Sequence, residues 1–186
     1  VFSGGSLTNT TLDSGGTLYL LPDASVTGTV GDGTVVSANI LLFNSSGEVV
    51  GGGTGSDYDN LVLNSGQTEE IYSGGSVTGT TLSLSGNVSV DSGGTVMDTT
   101  ISAGGFAIVY PNGTAISTTI DSNGAFLAGP GSFESDTTLN SGAVFYVSSG
   151  GTVTSMTVHS GGEFYVDNGA IVSDTTVEAG ALIDVS

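Results

Sequence analysis

The chain has 186 residues, no Lys, no Arg and 18 acidic residues, so its formal charge is −18. A chain with no cationic side chain to replace phosphate counterions is not built to hold nucleic acid or an anionic lipid surface. The absence of Cys excludes disulfides and thiolate metal sites, while 37% apolar residues and 32 Gly describe short strands joined by tight turns rather than a disordered acidic tail.

In chain order, Gly5 to Leu12 already carries the pattern that dominates the sequence: a Gly turn, a short strand and a Thr-Thr-apolar trio. Residues 24 to 32 read as a truncated coil. Gly33-Thr34-Val35-Val36-Ser37-Ala38-Asn39-Ile40 matches Gly94 to Ile101 position for position, and residues 41 to 55 form a longer return. The irregular coils therefore span about 24–62. Leu63 then resumes a 19-residue spacing to Leu82, and coils over 75–186 keep that spacing without insertion or deletion.

The regular part fixes the fold. Thr81, Thr100, Thr119, Thr138, Thr157 and Thr176 are each 19 residues apart. The residue after each is branched and apolar: Leu82, Ile101, Ile120, Leu139, Val158 and Val177. A second inward column runs Val90, Val109, Ala128, Val147, Val166 and Val185. Two residues earlier stand Val88, Ala107, Phe126, Phe145, Phe164 and Ile183, on the same strand face. Gly or Asn at 74, 93, 112, 131, 150 and 169 suits a turn of positive φ. Gly or Ala at 86, 105, 124, 143, 162 and 181 suits close approach to a neighbouring coil. One unit cannot bury its apolar side, but a stack can. The fold class is all-β, a parallel β-solenoid of 19-residue rungs, right-handed by the general preference of parallel crossovers. The whole chain, 1–186, reads as one solenoid domain. It starts and stops inside a repeat, as a segment of a longer protein does.

Glu69 falls in the column of Val88, and Glu134 in that of Val96. An unpaired carboxylate inside is costly, so local bulges are expected to turn both outward, with Phe133 packing inward.

The run Ser92-Gly93-Gly94-Thr95-Val96-Met97-Asp98-Thr99-Thr100-Ile101-Ser102-Ala103-Gly104-Gly105 resembles the strand-loop-strand repeat of bacterial autotransporter passengers, the AIDA-like adhesins. Six copies in register carry the resemblance over nearly all of the chain, while 31–60 departs from it. The resemblance implies export across the outer membrane to the bacterial surface. It further implies adhesion, self-association or biofilm formation, and O-linked heptose on Ser and Thr added by a dedicated cytoplasmic protein O-heptosyltransferase.

Candidate acceptors are the outward column Thr81, Thr100, Thr119, Thr138, Thr157 and Thr176, and the turn residues Ser92, Ser122, Ser141 and Ser160. The same Thr column also reads as a purely stabilising ladder. Ile108, Leu127, Tyr146 and Tyr165 form an outward apolar stripe suited to contact with a receptor or a second copy. Gly52-Gly53-Thr54-Gly55-Ser56-Asp57 begins like a calcium-binding nonapeptide, which makes Asp57 and Asp59 candidate ligands, but a single copy without the following apolar residue argues for no metal. No cofactor is expected. A glycan-processing β-helix enzyme is the alternative, with Asp57 and Asp59, or Asp98 and Asp136, as its carboxylates. Asp98, Asp136 and Asp174 share one column and look like turn residues. His159 is the only His, and no catalytic site is assigned. An inert spacer stalk is the remaining reading.

Overall fold

The computed structural model describes residues 1–28, 31–54 and 58–186, which form 26 strands and no α-helix. From residue 75 onward each coil is a three-residue strand, a corner, a two-residue strand, a Gly turn, a four-residue strand and a second turn. Equivalent strands pair in parallel, residue n with n+19: Thr81 with Thr100, Val88 with Ala107, Val96 with Ala115. The result is a solenoid with three main sheets, of seven two-residue strands, nine long strands and six three-residue strands, and two further two-stranded sheets in the N-terminal coils.

The corner between the two short strands is set by one residue per coil at positive φ. Asp98 (52°), Ser117 (57°), Asp136 (56°), Ser155 (55°) and Asp174 (52°) occupy it, and Asn9, Gly28, Asn60 and Gly79 hold the equivalent place in the earlier coils. These are about nine coils. Asp, Asn and Ser accept this conformation because their short polar side chains bond the local backbone. The second turn is equally regular: Gly74, Gly93, Asn112, Gly131, Gly150 and Gly169 all have positive φ, as their column predicts.

The lumen is lined mostly by apolar side chains. Leu63, Leu82, Ile101, Ile120, Leu139 and Val158 stack along one side, and Ile71, Val90, Val109, Ala128, Val147 and Val166 along another. Phe126, Phe145 and Phe164 lie ring on ring, with centroids 4.8 and 5.3 Å apart. Thr80, Thr99, Thr118 and Thr137 also point inward and are buried, because they precede the inward Leu82, Ile101, Ile120 and Leu139 by two.

Two expectations are corrected. Glu69 and Glu134 are not turned outward: both are fully buried, while Phe133 is 41% exposed. The strands of both acids remain in register, Glu69 beside Val88 and Glu134 between Ala115 and Val153. A one-residue slip would have inverted a whole strand and broken its bonds to the coils on either side. The ladder wins, and the carboxyls adapt instead. Burial raises Glu69 to about 7, with the Thr80 hydroxyl bond pulling the other way, and raises Glu134 to about 8.

The second correction is in the N-terminal coils. Ser6–Thr8 pairs with Ser25–Thr27 at an offset of 19, but Thr17–Leu20 pairs with Thr34–Ser37 at an offset of 17. Two residues are missing from the second coil, as the truncated stretch suggests. Thr34–Ser37 is therefore a long strand, equivalent to Phe106–Val109 rather than to Thr95–Met97. A Gly-Thr-Val start is shared by both strand types, so eight matching residues did not reveal the phase. The return over 41–55 contains an antiparallel hairpin, Ile40–Phe43 with Val49–Gly53, and Ile40–Phe43 also runs antiparallel to Thr68–Ile71. Asn44 shapes its tip by accepting bonds from the Ser46 and Glu48 amides, both 3.0 Å. Parallel stacking is thus interrupted once, between the first two coils and the regular stack.

Candidate functional site

The outer surface of the regular coils repeats the same side chains every 19 residues. Thr81, Thr100, Thr119, Thr138 and Thr157 are half-buried. Their amides are fixed on the preceding coil, as in Thr100 N–H to Thr80 O at 2.9 Å and Thr119 N–H to Thr99 O at 2.8 Å. Thr100 and Thr119 line a shallow face at the Asp98–Ser117–Asp136 corner. Thr176, in the last coil, is exposed.

The turn serines stand further out. Ser92, Ser122, Ser141 and Ser160 are all exposed. The Ser122, Ser141 and Ser160 side chains lie under Gly142, Gly161 and Gly180 of the next coil, where an added Cβ would come within 3.0, 2.5 and 2.7 Å of their Oγ atoms. Each hydroxyl therefore borders a surface notch that only glycine leaves open.

Ile108, Leu127, Tyr146 and Tyr165 lie on the outer face of the nine-stranded sheet, in register with one another. Tyr146 and Tyr165 stack at 4.7 Å and 13°, and Tyr165 Oη donates to Glu163 Oε2 at 2.9 Å. That bond raises the Tyr165 phenol above its ordinary range.

The remaining candidates take structural roles. Asp59 accepts the Thr78 amide at 2.8 Å, holding two coils together, and Asp57 lies outside the described residues. No group of three metal-ligating side chains converges among the described residues. Asp98 and Asp136 are corner residues two coils apart with Ser117 between them. His159 is not isolated: its Nδ1 lies 3.0 Å from Glu178 Oε1, and that hydrogen bond lowers the Glu178 carboxyl. Glu178 is 19 residues on, so the repeat itself names the partner. The same spacing brings Asn140 Nδ2 to Asp121 Oδ1 at 2.7 Å. A column reading also exposes what the motif reading missed: Tyr72, Asp91 and Tyr110 line one cleft where the regular stack meets the N-terminal coils.

No protein-family model matches the chain, and no curated protein does. Among solved structures, the crystal structure of a TibC-catalysed, hyper-glycosylated TibA55-350 fragment matches it at a TM-score of 0.66 and 30% identity, over 99% of this chain and 69% of that one. The chain is a member of the AIDA-like autotransporter adhesin passengers. As an AIDA-like passenger, it presents its hydroxyls on a rod in which every coil offers the same face. That neighbour is described as a hyper-glycosylated fragment, the product of TibC catalysis.

Proposed function

We propose that this chain is a surface-exposed adhesive segment of a bacterial autotransporter passenger, a single solenoid domain within a longer protein, and an acceptor for O-linked heptose. The observation that carries this reading is the column of exposed turn serines, Ser122, Ser141 and Ser160, each beside a glycine notch on a rigid stack. A transferase that engages one coil finds the same backbone geometry one coil further on, so a single enzyme can modify many sites. The hyper-glycosylation of the TibA fragment by TibC supports this. The Thr81-to-Thr176 column is the poorer acceptor set, since its first five members are half-buried between coils. Ser92 is accessible as well. A protein O-heptosyltransferase of the TibC kind is the modifying partner, before export to the cell surface. Receptor contact or self-association falls to the stripe of Ile108, Leu127, Tyr146 and Tyr165.

Co-expression with TibC followed by intact mass measurement tests the reading. Added heptose units are expected, one fewer in each of Ser122→Ala, Ser141→Ala and Ser160→Ala. An unmodified mass, or an unchanged count in all three variants, refutes it.

A further inference from the structure

Tyr72, Asp91 and Tyr110 follow one another in a single column, just beyond the long strands. The Asp91 amide donates to Ile71 O and the Tyr110 amide to Val90 O, both at 2.8 Å. With about 4.8 Å between coils, the two tyrosines stand roughly 9.6 Å apart, with Asp91 on the coil between them. All three line one open cleft of about 480 Å³, rimmed by Ser73, Ser92 and Asn112.

The walls are held in place. The Tyr72 hydroxyl donates to Glu70, and its ring packs against the cluster of Leu21, Ala38 and Leu41. Tyr110 is 43% exposed, and the next residue in the column is Gly129, which adds no side chain. The floor is short of a counter-charge. Burial, and then repulsion by Glu70, hold the Asp91 carboxyl above its usual range. The chain has no Lys or Arg to relieve it, and His159 is engaged with Glu178.

We propose that this cleft receives the ε-ammonium of a lysine on a partner protein. The ammonium's N–H groups are directed at Asp91, and the Tyr72 and Tyr110 side chains that line the same cleft offer it aromatic contact. The −18 charge of the chain steers a basic protein surface toward it and repels anions. A phosphocholine headgroup is disfavoured because it would bring a phosphate against Asp91 and Glu70. The inference names the chemistry of the adhesion partner and rests on the adhesive reading for its biological meaning only. The contact itself is independent of the sugars, and the unglycosylated chain is the one to test, since Ser92 lies on the rim.

The experiment is an NMR titration of the unmodified protein with the peptide acetyl-Gly-Lys-Gly-amide, following the tyrosine ring signals. Saturable shifts of Tyr72 and Tyr110 are expected, weakened about three- to tenfold in each of Tyr110→Ser and Asp91→Asn. They should be unchanged in Asp98→Asn, which removes the same charge elsewhere, and absent with the Nε-acetylated peptide. Equal weakening by Asp98→Asn, binding of the acetylated peptide, no saturable shift, or phosphocholine acting on the same rings at lower concentration would each overturn the proposal. Loss of binding here leaves the heptose count of the serine variants untouched, so the two readings fail separately.

Discussion

The Thr80 hydroxyl donates to Glu69 Oε2 at 3.1 Å inside the coil stack, where neither side chain meets water. Glu134, in another column of the same lumen, has no well-formed hydrogen bond to either carboxyl oxygen among the described residues, and only the nearby Ser132 hydroxyl opposes the effect of burial. Both acids are raised above the ordinary 4.5, to about 7 and about 8, chiefly by burial. Below pH 4.5 each is protonated in the folded and the unfolded chain alike, so its burial carries no ionisation cost. As pH rises from 4.5 toward 8, the unfolded chain ionises first and the fold loses stability. Glu134→Gln should therefore raise the urea midpoint at pH 8.5, by on the order of 2–4 kcal/mol in unfolding free energy, and have little effect at pH 4. The surface carboxylates of the −18 chain also repel less in acid, but that contribution is common to wild type and variant and cancels in the comparison. A gain of equal size at both pH values would show that the Glu134 carboxyl titrates alike in the folded and the unfolded chain.

The three phenylalanines follow one another along the lumen, and Phe145 has a ring on each side of it. Truncating it removes both contacts and leaves a cavity that rigid coils cannot close. Phe145→Ala should cost about 3–5 kcal/mol, measured by urea unfolding. Phe133→Ala, on the outer surface of another sheet, should cost less than about 1 kcal/mol. Equal losses would mean that Phe133 packs inward after all.

What was legible in the sequence was whatever repeats. The inward columns ending at Val158 and Val166, the positive-φ turn column and the outward stripe all follow from a strict period of 19, because stacking forces equivalent residues into equivalent places. Glu69 and Glu134 depart from the sequence expectation because the cost of a buried carboxylate is not settled locally. The deciding term is the hydrogen-bond ladder on both sides, which a bulge would have broken twice. Gly33 to Ile40 was misaligned because phase within the coil depends on pairing with Thr17–Leu20, a long-range fact that eight residues do not encode. The Tyr72–Asp91–Tyr110 cleft was legible as a column, yet no motif pointed to it.

The two glycine roles separate by substitution. A Cβ on Gly86 would lie 2.1 Å from the Leu63 carbonyl oxygen, so the coils themselves would have to part. Gly131, at φ +72°, has nothing within 4 Å of an added Cβ, and its cost is conformational alone. Gly86→Ala should lower stability by about 2–3 kcal/mol and Gly131→Ala by about 1–2 kcal/mol. Thermal unfolding of the pair checks the order; a reversed order would mean that backbone strain, not coil spacing, is what these turns protect.

Tyr146 is 46% exposed and stacks on Tyr165 above a strand pair that is complete without either ring. Such a pair contributes about 0.5–1.5 kcal/mol to the fold, so Tyr146→Ser with Tyr165→Ser should leave the protein folded. If the stripe joins two copies, the double variant removes its aromatic half while leaving Ile108 and Leu127. The −18 charge opposes association, so copies should associate more readily at 0.5 M than at 0.05 M salt, where screening is weak. Sedimentation velocity at both ionic strengths is expected to show wild-type association that grows with salt and is strongly reduced in the double variant. Association unaffected by the substitutions would place the contact elsewhere on the rod.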